Sequence, residues 1–298
     1  MHRALQLLRT ARFAPALACS LSLSQVQTRC GVDLSRARAR SGFSRGHLLD
    51  IVVYVPGGLG DARERDAAES LVQLSIGEEL FERWVGTVTV AATVRGGPLT
   101  VLNTSSQESS AFPIAELPDA IRAAVAGLKL GLSKEPLFRQ ADAEDWVLFE
   151  LTPELAADYT AQDDLVFAST RVPELKKSFL RGEPFFSGRF SDAGELFAYL
   201  KYEGMASTSE ARLTERGAIE AALSQVLSER GAIVGLGLGI RYGYLDLALV
   251  DLDCVETLLL PALRALGVAK RAWLLFCDSE LEREWIAVHS DTPEPFWG

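Results

Sequence analysis

Histidine is nearly absent from this chain: His2, His47 and His289 are the only three in 298 residues. Ser-His-Asp chemistry needs an imidazole near a nucleophile, and no G-x-S-x-G elbow accompanies these three. Cysteine is almost as scarce, with Cys19, Cys30, Cys254 and Cys277 and no C-x-x-C among them. That spacing excludes a structural zinc site and a disulfide framework, so the metal expectation is none. Buried reduced thiols in a reducing compartment are expected. No apolar run approaches the ~20 residues of a membrane-spanning helix, so no membrane partner is expected. Phosphate fingerprints are missing too. Gly57-Gly58-Leu59-Gly60 sits between a strand-like and a helix-like stretch, where backbone N–H groups attract anions. Arg63 follows it, however, and neither G-x-G-x-x-G nor G-x-x-x-x-G-K-[ST] is satisfied. It reads as an ordinary loop, and no cofactor is expected.

Basic residues are few outside one segment. Residues 1–46 carry eight arginines and the single acid Asp33, and removing that +7 from the chain's −10 leaves −17 for the rest. A body this acidic repels a phosphate backbone and offers no basic patch interleaved with aromatics, which argues against a nucleic-acid partner. The Arg-, Ser- and Ala-rich residues 1–46 have the composition of an organellar transit peptide, and equally of a disordered leader or of a start site placed too far upstream. The localisation that follows is cytoplasmic, or organellar if the leader is a transit peptide.

What is present is apolar material in short patterned runs: 48% hydrophobic against 23% charged residues suffices for one large core or two modest ones. Residues 48–55 read as a strand and 61–84 as a helix interrupted at Gly77. Residues 87–94 and 99–103 read as strands around Arg95-Gly96-Gly97-Pro98, and Pro118 opens a helix to about Leu130. Trp146–Leu151 and 164–170 add two strands. The second half repeats the order: a strand at 196–202, a helix at 214–230, and a hairpin through 231–253 turning near Arg241-Tyr242-Gly243. A helix at 253–266 follows, bent by Pro261, and then strands at 273–277 and 284–289.

Spacings favour a duplication. Tyr54 to Arg83 is 29 residues and Tyr202 to Arg230 is 28, while Arg83 to Arg95 is 12 and Arg230 to Arg241 is 11. The two Trp-x-Leu-Phe strands at 146–149 and 273–276 would correspond. The expected fold is α+β: two tandem ferredoxin-like units (βαββαβ plus an extra strand) packed as an intramolecular pseudo-dimer. Its divisions are a disordered or targeting-like extension over 1–46, a first unit over 47–170, a connector over 171–195 and a second unit over 196–298. Phe179, Phe185, Phe186 and Phe190 make the connector too apolar for a free linker, so they are expected to pack across the join.

Within this frame Arg95 and Arg241 would occupy equivalent turns, where two guanidiniums facing one cleft could hold a small anionic ligand, walled by Tyr242 and Tyr244. Each is otherwise a solvated turn residue. Tyr242, Tyr244 and Asp246 alternate along one strand and so share a face, which could serve as an aromatic, acidic strip for a protein partner. Asp246, Asp251 and Asp253 form an acidic cluster without EF-hand spacing and read as strand-end solvation plus a helix cap at Asp253. Gly235, Gly237 and Gly239 alternate along a strand, a pattern that lets another group approach closely. A fold does not dictate a function. The charge and the lack of a catalytic constellation point to a non-catalytic acidic module that binds a protein partner with a basic surface, of an immunity or antitoxin-like kind. The alternative is an anionic-ligand or enzymatic site between the repeats.

Overall fold

The computed structural model describes residues 21–31, 33–56, 64–91, 111–140, 146–205 and 208–297. Among them are seven helices and two sheets, of four and seven strands, with no barrel. The chain divides into two compact units, one built on the described residues of Pro15–Leu132 with Arg181–Pro184, the other on those of Ser133–Leu180 and Phe185–Gly298.

The four-stranded sheet has the order β3-β2-β1-β4, with β1 Arg38–Phe43, β2 Leu49–Tyr54, β3 Val85–Ala91 and β4 Phe112–Pro113. Helix α1 spans Leu23–Cys30, α2 Glu64–Ile76, α3 Glu78–Trp84 and α4 Leu117–Gly131. The break between α2 and α3 falls at Gly77, whose φ of 91° only glycine adopts readily. Ala68, Leu71, Val72 and Ile76 recur at helical spacing on α2 and are buried, as are Leu49, Ile51 and Val53 at alternate positions of β2.

Two expectations fail in this unit. Residues 1–46 are not all a leader: β1 is an interior strand, with Ala39 opposite both Val53 and Phe112. Small residues alternate with the arginines of Arg36-Ala37-Arg38-Ala39-Arg40, so Ala37 and Ala39 are buried while Arg36 and Arg38 stay exposed. Val26 and Leu34 are buried as well. Secondly, β2 and β3 pair directly, in parallel, with α2 and α3 as their crossover, where a ferredoxin-like unit would put another strand between them. The expected hairpin at 95–98 and the Gly57–Gly60 loop lie outside the described residues.

The seven-stranded sheet is antiparallel throughout, in the order β11-β10-β7-β9-β8-β6-β5. Its strands are β5 Val147–Glu150, β6 Leu165–Thr170, β7 Leu196–Glu203, β8 Gly231–Gly239, β9 Tyr242–Leu249, β10 Ala272–Phe276 and β11 Trp285–Ala287. Helix α5 covers Pro173–Leu180, α6 Ser209–Leu227 and α7 Leu260–Ala265, the last entered through a π-helical turn at Val255–Leu259. Pro261, just beyond that turn, has no N–H to donate and crowds the carbonyl four residues back, so the wider turn ahead of it relieves both. Ahead of that turn Asp251 Oδ1 accepts from the Asp253 N–H at 2.7 Å, and Asp251 also pairs with Arg230.

One face of this sheet is apolar. Leu196, Ala198 and Leu200 of β7, Leu245, Leu247 and Leu249 of β9, and Leu274 and Phe276 of β10 pack under Ile219, Leu223 and Leu227 of α6 and Leu260 and Leu263 of α7. The other face is covered by irregular chain and α5, in a core that includes Tyr159, Leu175, Phe185, Tyr199, Tyr242, Tyr244 and Trp273.

The tandem arrangement is not what these sheets show. β5 and β6 were expected to complete the first unit, yet β6 pairs with β8 and extends the sheet of the second. Nor are the two tryptophan strands equivalent. Trp273 is fully buried in an interior strand, whereas Trp146 precedes an edge strand and is 36% exposed. Most of the 171–195 stretch is no connector either. Phe185 stacks on Phe190 at 4.9 Å and meets Phe197 edge-on, and Phe179 meets Tyr199 edge-on, so these rings pack onto the seven-stranded sheet within one unit.

Candidate functional site

Arg95 lies outside the described residues. The other four candidate residues are close together on the face of the seven-stranded sheet that α5 and irregular chain cover, but not as an open surface. Tyr242, Tyr244 and Asp246 share a face as their alternation requires, and all three are buried. The expected exposed strip is corrected to an internal layer. The glycines opposite make room for it: a Cβ at Gly235 would overlap the Asp246 carboxylate, and one at Gly239 the Asp164 carboxylate.

The segment 151–164, which leads into β6, closes over these side chains with polar bonds. Asp246 Oδ2 lies 2.7 Å from Lys176 Nζ of α5. Gln162 bridges the pair, accepting from Lys176 Nζ at 2.7 Å and donating to Asp246 Oδ1 at 2.9 Å. Asp164 accepts from the Tyr244 hydroxyl and from the backbone N–H groups of Arg241 and Tyr242 at 2.7 and 2.9 Å. Burial, and then Asp164, hold the Tyr244 hydroxyl well above its ordinary range. Tyr242 donates to Asp158 Oδ1 at 2.6 Å, and burial followed by that bond raises its hydroxyl to about 12. Burial alone would raise Asp158, but the hydrogen bonds from Tyr242 and the Tyr159 N–H, with Arg271 and Arg241 nearby, bring it below the usual carboxylate range.

Arg241 is not a solvated turn residue. Its Nε and Nη2 reach Glu203 Oε1 at 2.7 and 2.6 Å, and its Nη1 donates to the Ala157 carbonyl at 2.8 Å. A guanidinium engaged on three sides has little left for a ligand.

Lys201 is the group that sequence reasoning missed. Its Nζ donates to the Tyr159 carbonyl at 2.5 Å and stands 4.3 Å from the centre of the Tyr242 ring. Burial brings its pKa down to about 8, against the opposing pull of Asp164, Asp158 and Asp163. An amine of that pKa has the basicity of a proton acceptor or nucleophile, but the side chain is 1% exposed and faces protein. One signal for it existed in the sequence: Lys201 stands in the otherwise apolar run Leu196-Phe197-Ala198-Tyr199-Leu200-Lys201-Tyr202. Lys176, Gln162 and Asp164 gave no comparable sign. Among the described residues no cluster of three His, Cys, Asp or Glu has metal-binding geometry, and Cys254 and Cys277 are buried free thiols.

The helical side of the sheet holds an open feature. The sheet is wider than its helices: beyond α6, over β8, β6 and β5, lies a trough of about 1050 Å³. Its floor includes Ile233 and Leu236 of β8 and Ser169 of β6, Trp146 and Leu148 stand along β5, and Glu220 and Ser224 form the α6 wall. Register places Leu148 opposite Ser169 and Ser169 opposite Leu236, so these three share the trough face. Leu148 is 64% exposed. Among the described residues Arg139, Arg171 and the acid Glu220 line the same trough.

No protein-family model matches the sequence, and comparison with curated proteins and with solved structures finds no match.

Proposed function

We propose that this protein works by binding rather than by catalysis, and that the trough over β5, β6 and β8 is its recognition surface. The observation that carries this is the mismatch between sheet and cover: seven strands, with helices over only part of their width, leave aromatic and aliphatic side chains and two guanidiniums around one concavity. The ionisable groups of the opposite face are buried in mutual contacts, which suits a structural layer better than a reaction centre. For residues 196–276 we retain the ferredoxin-like reading. The strand order β10-β7-β9-β8 with α6 and α7 on one face supports it, and the added β6 and β5 build the trough. The acidic body favours a basic protein partner in general, but Arg139 and Arg171 favour an anionic or carboxylate-bearing ligand in the trough.

The aromatic anion 8-anilinonaphthalene-1-sulfonate is a suitable first probe. Saturable binding with energy transfer from tryptophan is expected. Leu148→Asp, made at an exposed position, and Arg139→Glu with Arg171→Glu should each raise the dissociation constant by roughly tenfold, about 1.4 kcal/mol. An unchanged constant in both variants would remove the trough from consideration.

A further inference from the structure

The loop 152–163 joins β5 to β6, and both of its ends are tied into the sheet: the Leu151 N–H donates to the Val166 carbonyl, and the Asp164 carbonyl accepts from the Ile240 N–H, each at 2.9 Å. Between these ties it turns back across the sheet, with little apolar burial to hold it there. Tyr159 and Gln162 are its only buried residues, and Leu155 is 85% exposed. Its fastenings are polar instead. Asp158 meets Tyr242 and Arg271, the Ala157 carbonyl Arg241, the Tyr159 carbonyl Lys201, the Ala161 carbonyl Tyr244, and Gln162 both Lys176 and Asp246. Water can replace each of these bonds if the loop lifts, so lifting costs far less than opening an apolar core. Ala161 is held at a φ of 42°, which a residue with a Cβ adopts at a cost that lifting relieves.

Lys201 lies under this loop. Tyr244 and Trp273 are its register partners on the flanking strands. Asp158, Asp163 and Asp164 face its ammonium from the loop and the start of β6, Arg271 opposes it from beside β10, and Lys176 of α5 is paired with Asp246. Covering Lys201 takes its charge out of water, and the three carboxylates offset only part of that cost.

We infer that the loop 152–163 is a proton-controlled cover: protonation of Lys201 favours its lifting from the sheet, and loss of that proton favours closure. A neutral amine still donates to the Tyr159 carbonyl, so closure keeps the bond while shedding the buried charge. Under the loop Lys201 titrates at about 8, against 10.5 for a solvated lysine. The lifted form therefore binds more protons between those values, and its population falls as pH rises. From pH 7 to pH 9 the fall should be roughly tenfold. Tyr242, at about 12, and Tyr244, held well above its ordinary range, keep their protons throughout that interval.

The test is cleavage of the full-length protein by chymotrypsin after Tyr159, whose ring is buried while the loop is closed. The initial rate at which Thr160 becomes a new amino terminus, counting only fragments uncut at Leu155, is divided by the rate for a synthetic peptide of residues 151–164 at the same pH. This quotient should be roughly tenfold lower at pH 9 than at pH 7. In Lys201→Met it should be the same at both. Tyr242→Phe removes the Asp158 fastening but keeps the ring beside Lys201, so it should raise the quotient at both pH values and leave their ratio unchanged.

A wild-type quotient that does not change with pH overturns the proposal, as does an equal fall in Lys201→Met. So does cleavage after Tyr159 that only keeps pace with cleavage after Tyr199 of β7, because the whole unit then unfolds instead of the loop lifting. If Lys201→Met does not fold, the wild-type ratio and the Tyr242→Phe quotient still decide: a Tyr242→Phe quotient no higher than that of the wild type shows that polar bonds do not hold the cover.

Discussion

Lys176→Met is the sharpest probe of the buried layer. Lys176 and Asp246 have side chains only 1% and 3% exposed, with Nζ 2.7 Å from Oδ2. Methionine fills nearly the volume of lysine, so the change removes charge and two contacts while opening little cavity. Asp246 is then left with the Gln162 Nε2 bond at 2.9 Å but no cation, and Gln162 Oε1 loses its donor. Removing one partner of a buried ion pair costs about 3–5 kcal/mol, because the remaining charge stays desolvated without compensation. Adding Asp246→Asn should recover much of this. Both ends are then neutral and the asparagine carbonyl still accepts from Gln162, so the double variant should lie within about 2 kcal/mol of wild type. Urea unfolding followed by the fluorescence of Trp273, buried in the same layer, reads the effect on this unit. A single-variant loss below about 1 kcal/mol, or a double variant worse than Lys176→Met alone, would refute the reasoning.

Three further outcomes are expected. Lys201 has a folded pKa of about 8, below the 10.5 of a free lysine, so between those values the unfolded chain binds more protons and wild-type stability gains as pH rises. Relative to Lys201→Met the gain should approach about 3 kcal/mol by pH 10.5 and be absent below pH 8; parallel pH profiles for the two proteins would contradict it. Deleting residues 1–46 removes β1 from the middle of the four-stranded sheet, so calorimetry should show that unit's transition abolished. A thermogram superposable on the full-length one would show that β1 contributes nothing. Phe276, 5% exposed within the helical-side core, should cost about 3–5 kcal/mol on replacement by alanine, measured by the shift in denaturant midpoint.

Local pattern was enough for most element positions. The break at Gly77, the helix opened by Leu117-Pro118, the hairpin through Arg241 and the disturbance ahead of Pro261 follow from glycine's access to positive φ and from proline's missing N–H. The alternation of Gly235, Gly237 and Gly239 correctly announced a close approach, and the approaching groups are the side chains of Asp246 at the first, Leu165 and Tyr244 at the second and Asp164 at the third. The arginine content of residues 1–46 misled, because composition conceals the alanines that carry β1 into its sheet.

By itself, then, the sequence determined periodicity, and with it which residues share a face: Tyr242 with Tyr244 and Asp246, Leu196 with Ala198 and Leu200. It determined where turns fall, since those depend on one or two residues. Only the tertiary structure decided which strands pair, because the hydrogen-bonding groups of β6 are chemically the same whether they meet β8 or a strand of the other sheet. The strand face that holds Asp246 and Tyr244 became interior once residues 151–164 and α5 closed over it. Leu148 stayed exposed, in a trough that α6 borders through Glu220 and Ser224. Burial is a property of what arrives on a face from elsewhere in the chain, and two-residue alternation carries no information about that.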